Sequence, residues 1–88
     1  MNSADKKRLR AEAHSLKPVI MIGQSGLTAA VLAEIELALN SHELIKIRIR
    51  AERDNRKQIG EKIISDTGAE FIQAIGQIIV IYRPNPNK

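Results

Sequence analysis

The chain has 88 residues, 43% of them apolar and 27% charged, with no cysteine and no tryptophan. That length allows one domain with one aliphatic core, burying about 60% of the unfolded chain's surface, and the lack of cysteine excludes a disulfide framework and a thiolate metal site. Net charge is +4, and no apolar run reaches the length of a membrane span or the form of a signal-type core, so the composition predicts a soluble, cytoplasmic protein.

From Ser3 the sequence predicts a helix. Ser3 can cap it, Asp5 stands in the first turn where the dipole favours negative charge, and Leu9, Ala13 and Leu16 recur at helical spacing as a thin buried stripe. Lys7, Arg10, His14 and Lys17 recur three or four apart on a neighbouring face and form a cationic ridge. A plain solvent-facing side has the same pattern, and the apolar stripe is too narrow for a helix lying on a membrane surface. Pro18 excludes the helical conformation from Lys17. The four apolar residues Val19, Ile20, Met21 and Ile22 then read as a short strand, buried on both faces.

Gly23-Gln24-Ser25-Gly26 follows at once. Two glycines three apart let the backbone take positive φ angles and approach another surface closely. Thr28 can cap the helix behind them, whose free N–H groups and positive dipole end suit an anion such as phosphate. A tight strand-to-helix turn that binds nothing has the same signature.

That helix is predicted from Thr28 to Asn40, with Val31, Leu32, Ile35, Ala38 and Leu39 inward and Glu34 and Glu36 outward. Leu44 to Arg50 alternates strictly, placing Ile45, Ile47 and Ile49 on one face and Lys46, Arg48 and Arg50 on the other. Three buried cations in a row would be prohibitively costly, so the second face must be wet. Two strands joined by a helix imply a right-handed parallel crossover. A third helix, capped by Asp54 or Asn55, runs to about Asp66 with Ile59 and Ile63 inward, Gly60 marking close packing and Thr67-Gly68 a left-handed stop. Phe71 to Ile75 and Gln77 to Tyr82 are two strands joined at Gly76, the second apolar enough to be central. Residues 84–88 are expected to be a flexible tail. The expected fold is an α/β (α+β) domain over residues 1–83, element order αβαβαββ, with three helices and a mixed four-stranded sheet in two layers.

The charge is unevenly spread. Residues 1–26 carry five Lys/Arg against two acids and residues 44–60 six against two, while residues 27–43 carry three acids and no base. Ser25 followed directly by Gly26 does not fit a nucleophile elbow, His14 and His42 stand apart, and the carboxylates are scattered, so neither a catalytic triad nor a metal site is expected. No Walker lysine follows the glycines. No enzymatic activity, metal, cofactor or small-molecule substrate is expected. What remains is binding of a polyanion by backbone amides and cations, or a protein-interaction module whose basic face meets an acidic protein partner.

Several pieces in this order resemble a known family: Leu16-Lys17-Pro18-Val19 leading to Gly23-Gln24-Ser25-Gly26-Leu27-Thr28, His42-Glu43-Leu44-Ile45-Lys46-Ile47, Thr67-Gly68-Ala69, Gln73-Ala74-Ile75-Gly76 and Tyr82-Arg83. Together they resemble the CRM domain (chloroplast RNA splicing and ribosome maturation), in its bacterial stand-alone form, the YhbY family. The resemblance implies a fold similar to the C-terminal domain of a bacterial initiation factor, an RNA-binding surface centred on the glycine loop, and association with ribosomal RNA in precursors of the large ribosomal subunit. Gln24 stands where a basic residue is common in that family, which weakens the loop's attraction for phosphate. Joined to the charge pattern, the expected RNA surface is Gly23, Gln24, Ser25, Gly26 and Thr28, with Lys7, Arg10, Lys17, Lys46, Arg48 and Arg50 extending the track in a monomer. With only Phe71 and Tyr82 as aromatics, recognition of shape and backbone should outweigh base stacking.

Overall fold

In the computed structural model, which describes residues 2–85, seven elements follow in the expected order αβαβαββ: α1 (Ser3–Ala13), β1 (Ile20–Ile22), α2 (Ala29–His42), β2 (Leu44–Ile49), α3 (Arg53–Thr67), β3 (Glu70–Ile75) and β4 (Ile78–Tyr82). The sheet runs β1-β2-β4-β3, with β1 parallel to β2 and the other neighbours antiparallel. Strict alternation in β2 does what the sequence demands. Ile45, Ile47 and Ile49 are fully buried beneath α2 and α3, together with Ile22, Ile35, Leu39, Ile63 and Ile81.

The opposite face of the sheet corrects the expected architecture. A second buried cluster joins Leu9 and Ala13 of α1 to Leu44, Ile72 and Val80, so α1 lies across the sheet from α2 and α3. The two expected layers therefore gain a short third one. At 11 residues, or about 16 Å, α1 covers only part of its face. It is shorter than expected because Leu16 N–H bonds the Ala13 carbonyl and the Ser15 hydroxyl donates to the Glu12 carbonyl, turning the chain out of the helix before Pro18. Leu16 is consequently 36% exposed, not part of a buried stripe, and the N-cap is Asn2, whose Oδ1 accepts the Asp5 N–H at 2.8 Å.

β1 also departs from expectation. Its apolar run suggested burial on both faces, yet it is an edge strand with Met21 56% and Val19 50% exposed on the side α1 leaves open. β4 takes the central place expected of it, with Ile79, Val80 and Ile81 buried. In β3 the register slips between Phe71 and Gln73, a bulge that turns Ile72 and Gln73 to the α1 side while Phe71 and Ala74 face α3.

Helix termini follow local chemistry. Thr28 Oγ1 accepts the Val31 N–H at 3.2 Å as the predicted cap of α2, whereas α3 begins behind Glu52, with Asp54 and Asn55 inside its first turn. Gly68 ends α3 at φ 70°, its N–H on the Ile64 carbonyl. Gly60 is buried, but a Cβ there would meet Ile79 Cδ1 at 3.9 Å, an ordinary contact rather than the tight approach its presence suggested. Past β4, Arg83 ties α2 to the end of α3, reaching Glu36 Oε2 at 2.8 Å, the Thr67 carbonyl at 2.9 Å and Asn40 Oδ1 at 3.0 Å. The tail expected from residue 84 is still held at Asn85, whose N–H donates to Glu43 and whose amide donates to the Asn40 carbonyl. Residues 86–88 of that tail lie outside the described residues.

Candidate functional site

The Gly23–Gly26 segment closes as a β-turn, with the Gly26 N–H on the Gly23 carbonyl at 3.0 Å and Gln24 and Ser25 exposed at its corners. Of its two glycines only Gly26 takes a positive φ, 71°. An ordinary residue there would be strained by roughly 1–2 kcal/mol. Gly23 has no such reason to be glycine, and a Cβ at either position would meet nothing within 4 Å. Nothing inside the fold therefore asks for a bare backbone at Gly23. The open space lies on the outside of the turn, where another molecule can approach.

Behind the turn, Thr28 satisfies the Val31 N–H, the Thr28 carbonyl accepts from Leu32, and the first turn of α2 holds no acidic residue. Its positive dipole end is left facing the turn uncompensated. The turn sits at the carboxyl ends of the parallel pair β1 and β2, at one edge of the sheet. Arg50 is tied to that edge by its N–H on the Ile22 carbonyl, and Ile49 N–H on Gln77 carbonyl brings the β3–β4 turn to the same edge.

From this edge the wet face of β2 extends toward α1. Strand register aligns Met21, Arg48, Ile78 and Ile75 in one row across all four strands, and Lys46 pairs with Val80 one step further on. Beside that second row a shallow recess of about 150 Å³ is lined by Arg10 and His14 of α1 together with Lys46, Gln73, Ile75 and Ile78. Arg10, Lys46 and Arg48 thus share one face with Met21 and Ile75, the latter 60% exposed. Among the described residues no ion pair engages Lys7, Arg10, Lys17, Lys46, Arg48 or Arg50, since the ion pairs formed are Lys62 with Asp66 and Arg83 with Glu36. The positive charge of the face is free to act on a partner.

The structure does not bring every expected cation to this place. Lys17 lies past the end of α1, before β1, so the length of β1 separates it from the turn, and the ridge expected from Lys7 to Lys17 breaks after His14. Lys7 is exposed on α1, three residues before Arg10. Conversely, the apolar members of the row, Met21, Ile75 and Ile78, were not foreseen. A run of apolar residues carries no sign of which member is left uncovered; only the register against β2 reveals it.

The model of the CRS1/YhbY (CRM) domain matches residues 1–83. The chain belongs to the CRM domain family. Among relatives of this CRM domain, an "RNA-binding protein" of Haemophilus influenzae is 46% identical over 86 residues, covering 97% of this chain and 87% of the relative. A "probable RNA-binding protein" of Pseudomonas aeruginosa is 40% identical over 87 residues, covering 98% of this chain and 84% of the relative. The solution structure of a hypothetical protein of Staphylococcus aureus superposes with a TM-score of 0.84 at 32% identity, covering 97% of this CRM domain and 90% of that chain. Among the described residues no helix is long and apolar enough to cross a membrane.

Proposed function

We propose that this CRM domain binds RNA through its sugar-phosphate backbone and acts on ribosomal RNA in precursors of the large ribosomal subunit. The observation that carries the binding mode is the glycine turn: Gly23 and Gly26 present bare backbone to open space, at the edge of a face whose cations form no ion pair among the described residues. A phosphate seated at the turn would meet the amides at the start of α2. Arg50, Arg48, Lys46 and Arg10 would hold the following phosphates, with Lys7 at the outer end of the track. Met21 and Ile75 offer apolar rests for riboses. The relatives named as RNA-binding proteins support the choice of RNA among polyanions.

Two experiments test this reading. Substituting Gly23→Glu leaves the fold intact, because Gly23 has an ordinary φ and free space around its Cβ position, while it sets a negative charge where a phosphate should sit. RNA affinity should fall at least tenfold with the thermal midpoint within about 2 °C of the parent. Unchanged affinity in the folded variant would move the site elsewhere. For the biological target, ultraviolet crosslinking of the tagged protein in growing cells, with sequencing of the attached RNA, should concentrate on large-subunit ribosomal RNA. Crosslinks scattered over unrelated transcripts would contradict the ribosomal part of the proposal.

A further inference from the structure

On the side of the sheet away from α1, a groove of about 700 Å³ runs between α3 and the outer strand β3. Its apolar lining is Gly60, Ile64, Ala74 and Ile79, and the β3 bulge turns the Phe71 ring into it, 44% exposed. Arg53 and Lys57, four residues apart and so one turn of α3, stand at the end nearest Gly76 of the β3–β4 turn. Among the described residues neither is in an ion pair, whereas Arg56 beside them is engaged with the Ala51 carbonyl at 2.8 Å.

We infer that this groove takes one or two unstacked nucleotides of a single-stranded RNA segment, a base lying on the Phe71 ring and its phosphate against Arg53 and Lys57. The inference rests on the RNA-binding reading above and extends it to the second face of the domain. Continuity favours it. The Ile49–Gln77 hydrogen bond places the β3–β4 turn, and with it the cationic end of the groove, on the sheet edge that carries Arg50 and the glycine turn. A strand leaving the glycine turn past Arg50 reaches Arg53 within three residues of protein chain.

Size and charge favour a nucleotide over an acidic amphipathic helix. The volume lies in the range of small-ligand pockets. On α3 the apolar part of the lining, Gly60 to Ile64, is a single helical turn of about 6 Å, and the lining before it is the cationic Arg53, Arg56 and Lys57, whereas a docked amphipathic helix rests its apolar anchors over two turns or more. Glu61 also lines the groove. Its carboxylate repels any acidic group brought beside Gly60, whereas a base there offers an N–H donor, such as the N3–H of uracil, whose hydrogen bond it can accept. An exposed aromatic beside unpaired cations is the usual platform for single-stranded nucleic acid.

The test uses the whole chain and a single-stranded RNA octamer. Phe71→Ala should weaken binding about tenfold and Arg53→Gln with Lys57→Gln a further several-fold, thermal unfolding serving as the check on folding. In the unsubstituted protein, nuclear magnetic resonance titration with octauridylate should shift the Phe71 ring and Ala74 methyl signals, and titration with an octamer of glutamate should not. That pattern supports the inference, and the titration decides it even if a variant fails to fold. Equal affinity of folded Phe71→Ala and parent, or shifts produced by oligoglutamate, would overturn it, the latter pointing to an acidic protein partner. If Gly23→Glu abolishes binding while Phe71→Ala does not, the groove inference fails and the RNA reading stands. If the parent binds no RNA, both fail.

Discussion

Reversing two charges on β2, Lys46→Glu together with Arg48→Glu, is expected to lower RNA affinity by roughly 30- to 100-fold at 0.15 M salt. Each phosphate contact removed forfeits the counterions it releases, which at that salt is worth somewhat under a factor of ten, and the introduced carboxylates add repulsion. The fold should survive. Both side chains are half-buried on the face opposite the Ile45, Ile47 and Ile49 core, and neither is in an ion pair among the described residues. Gel-shift or fluorescence-anisotropy titration beside a thermal melt reads both quantities. Parent-like affinity in a folded double variant would remove the β2 face from the interface.

The residue between those two should behave in the opposite way. Ile47 is fully buried at the centre of the main core, so Ile47→Ala loses both the transfer energy of the deleted carbons and the energy of the cavity left behind, about 2–5 kcal/mol. A domain of this length has a total stability of about 4–13 kcal/mol, and the midpoint should fall by roughly 10–30 °C. Below the lowered midpoint, RNA affinity should stay near that of the parent, because the exposed face of β2 is unaltered. Three successive residues thereby separate binding from stability. A drop in affinity of folded Ile47→Ala as large as that of the charge reversal would mean that the two faces of β2 are not independent.

That separation was already written in the alternation of Leu44 to Arg50, and the same clarity of local signal explains which other parts of the fold were legible. Thr28 as a cap, Gly68 as a left-handed stop and the order of the seven elements depend on short-range chemistry. What depends on long-range assembly was not legible. A helix with a thin apolar stripe does not say which face of a sheet it will cover, and α1 takes the face away from α2 and α3. Four apolar residues at Val19 to Ile22 suit an interior strand and an edge strand equally, and the choice fell to the way β4 inserts between β2 and β3.

The candidate site divides along the same line. The glycine turn and the cations of β2 came from local sequence. The row of Met21, Arg48, Ile78 and Ile75 came only from strand register, and the placing of Phe71 over the groove only from the bulge at Ile72. Lys17 is parted from the turn by β1, which lies between them in the chain, and from the α1 ridge because the hydrogen bonds of Ser15 and Leu16 turn the chain out of the helix before Pro18. Gly60 misleads in the opposite sense: a glycine within a helix suggests tight packing, although a methyl group would fit there.

The salt dependence of RNA affinity tests the central claim, recognition of the phosphate backbone by an uncompensated cationic face, most directly. Equilibrium titrations of the unmodified protein between 50 and 400 mM monovalent salt (about those limits) should give a log–log slope near −3 to −4, as for about five neutralised phosphates, falling to near −2 in the Lys46→Glu, Arg48→Glu variant. A slope close to zero, with binding otherwise intact, would contradict the account.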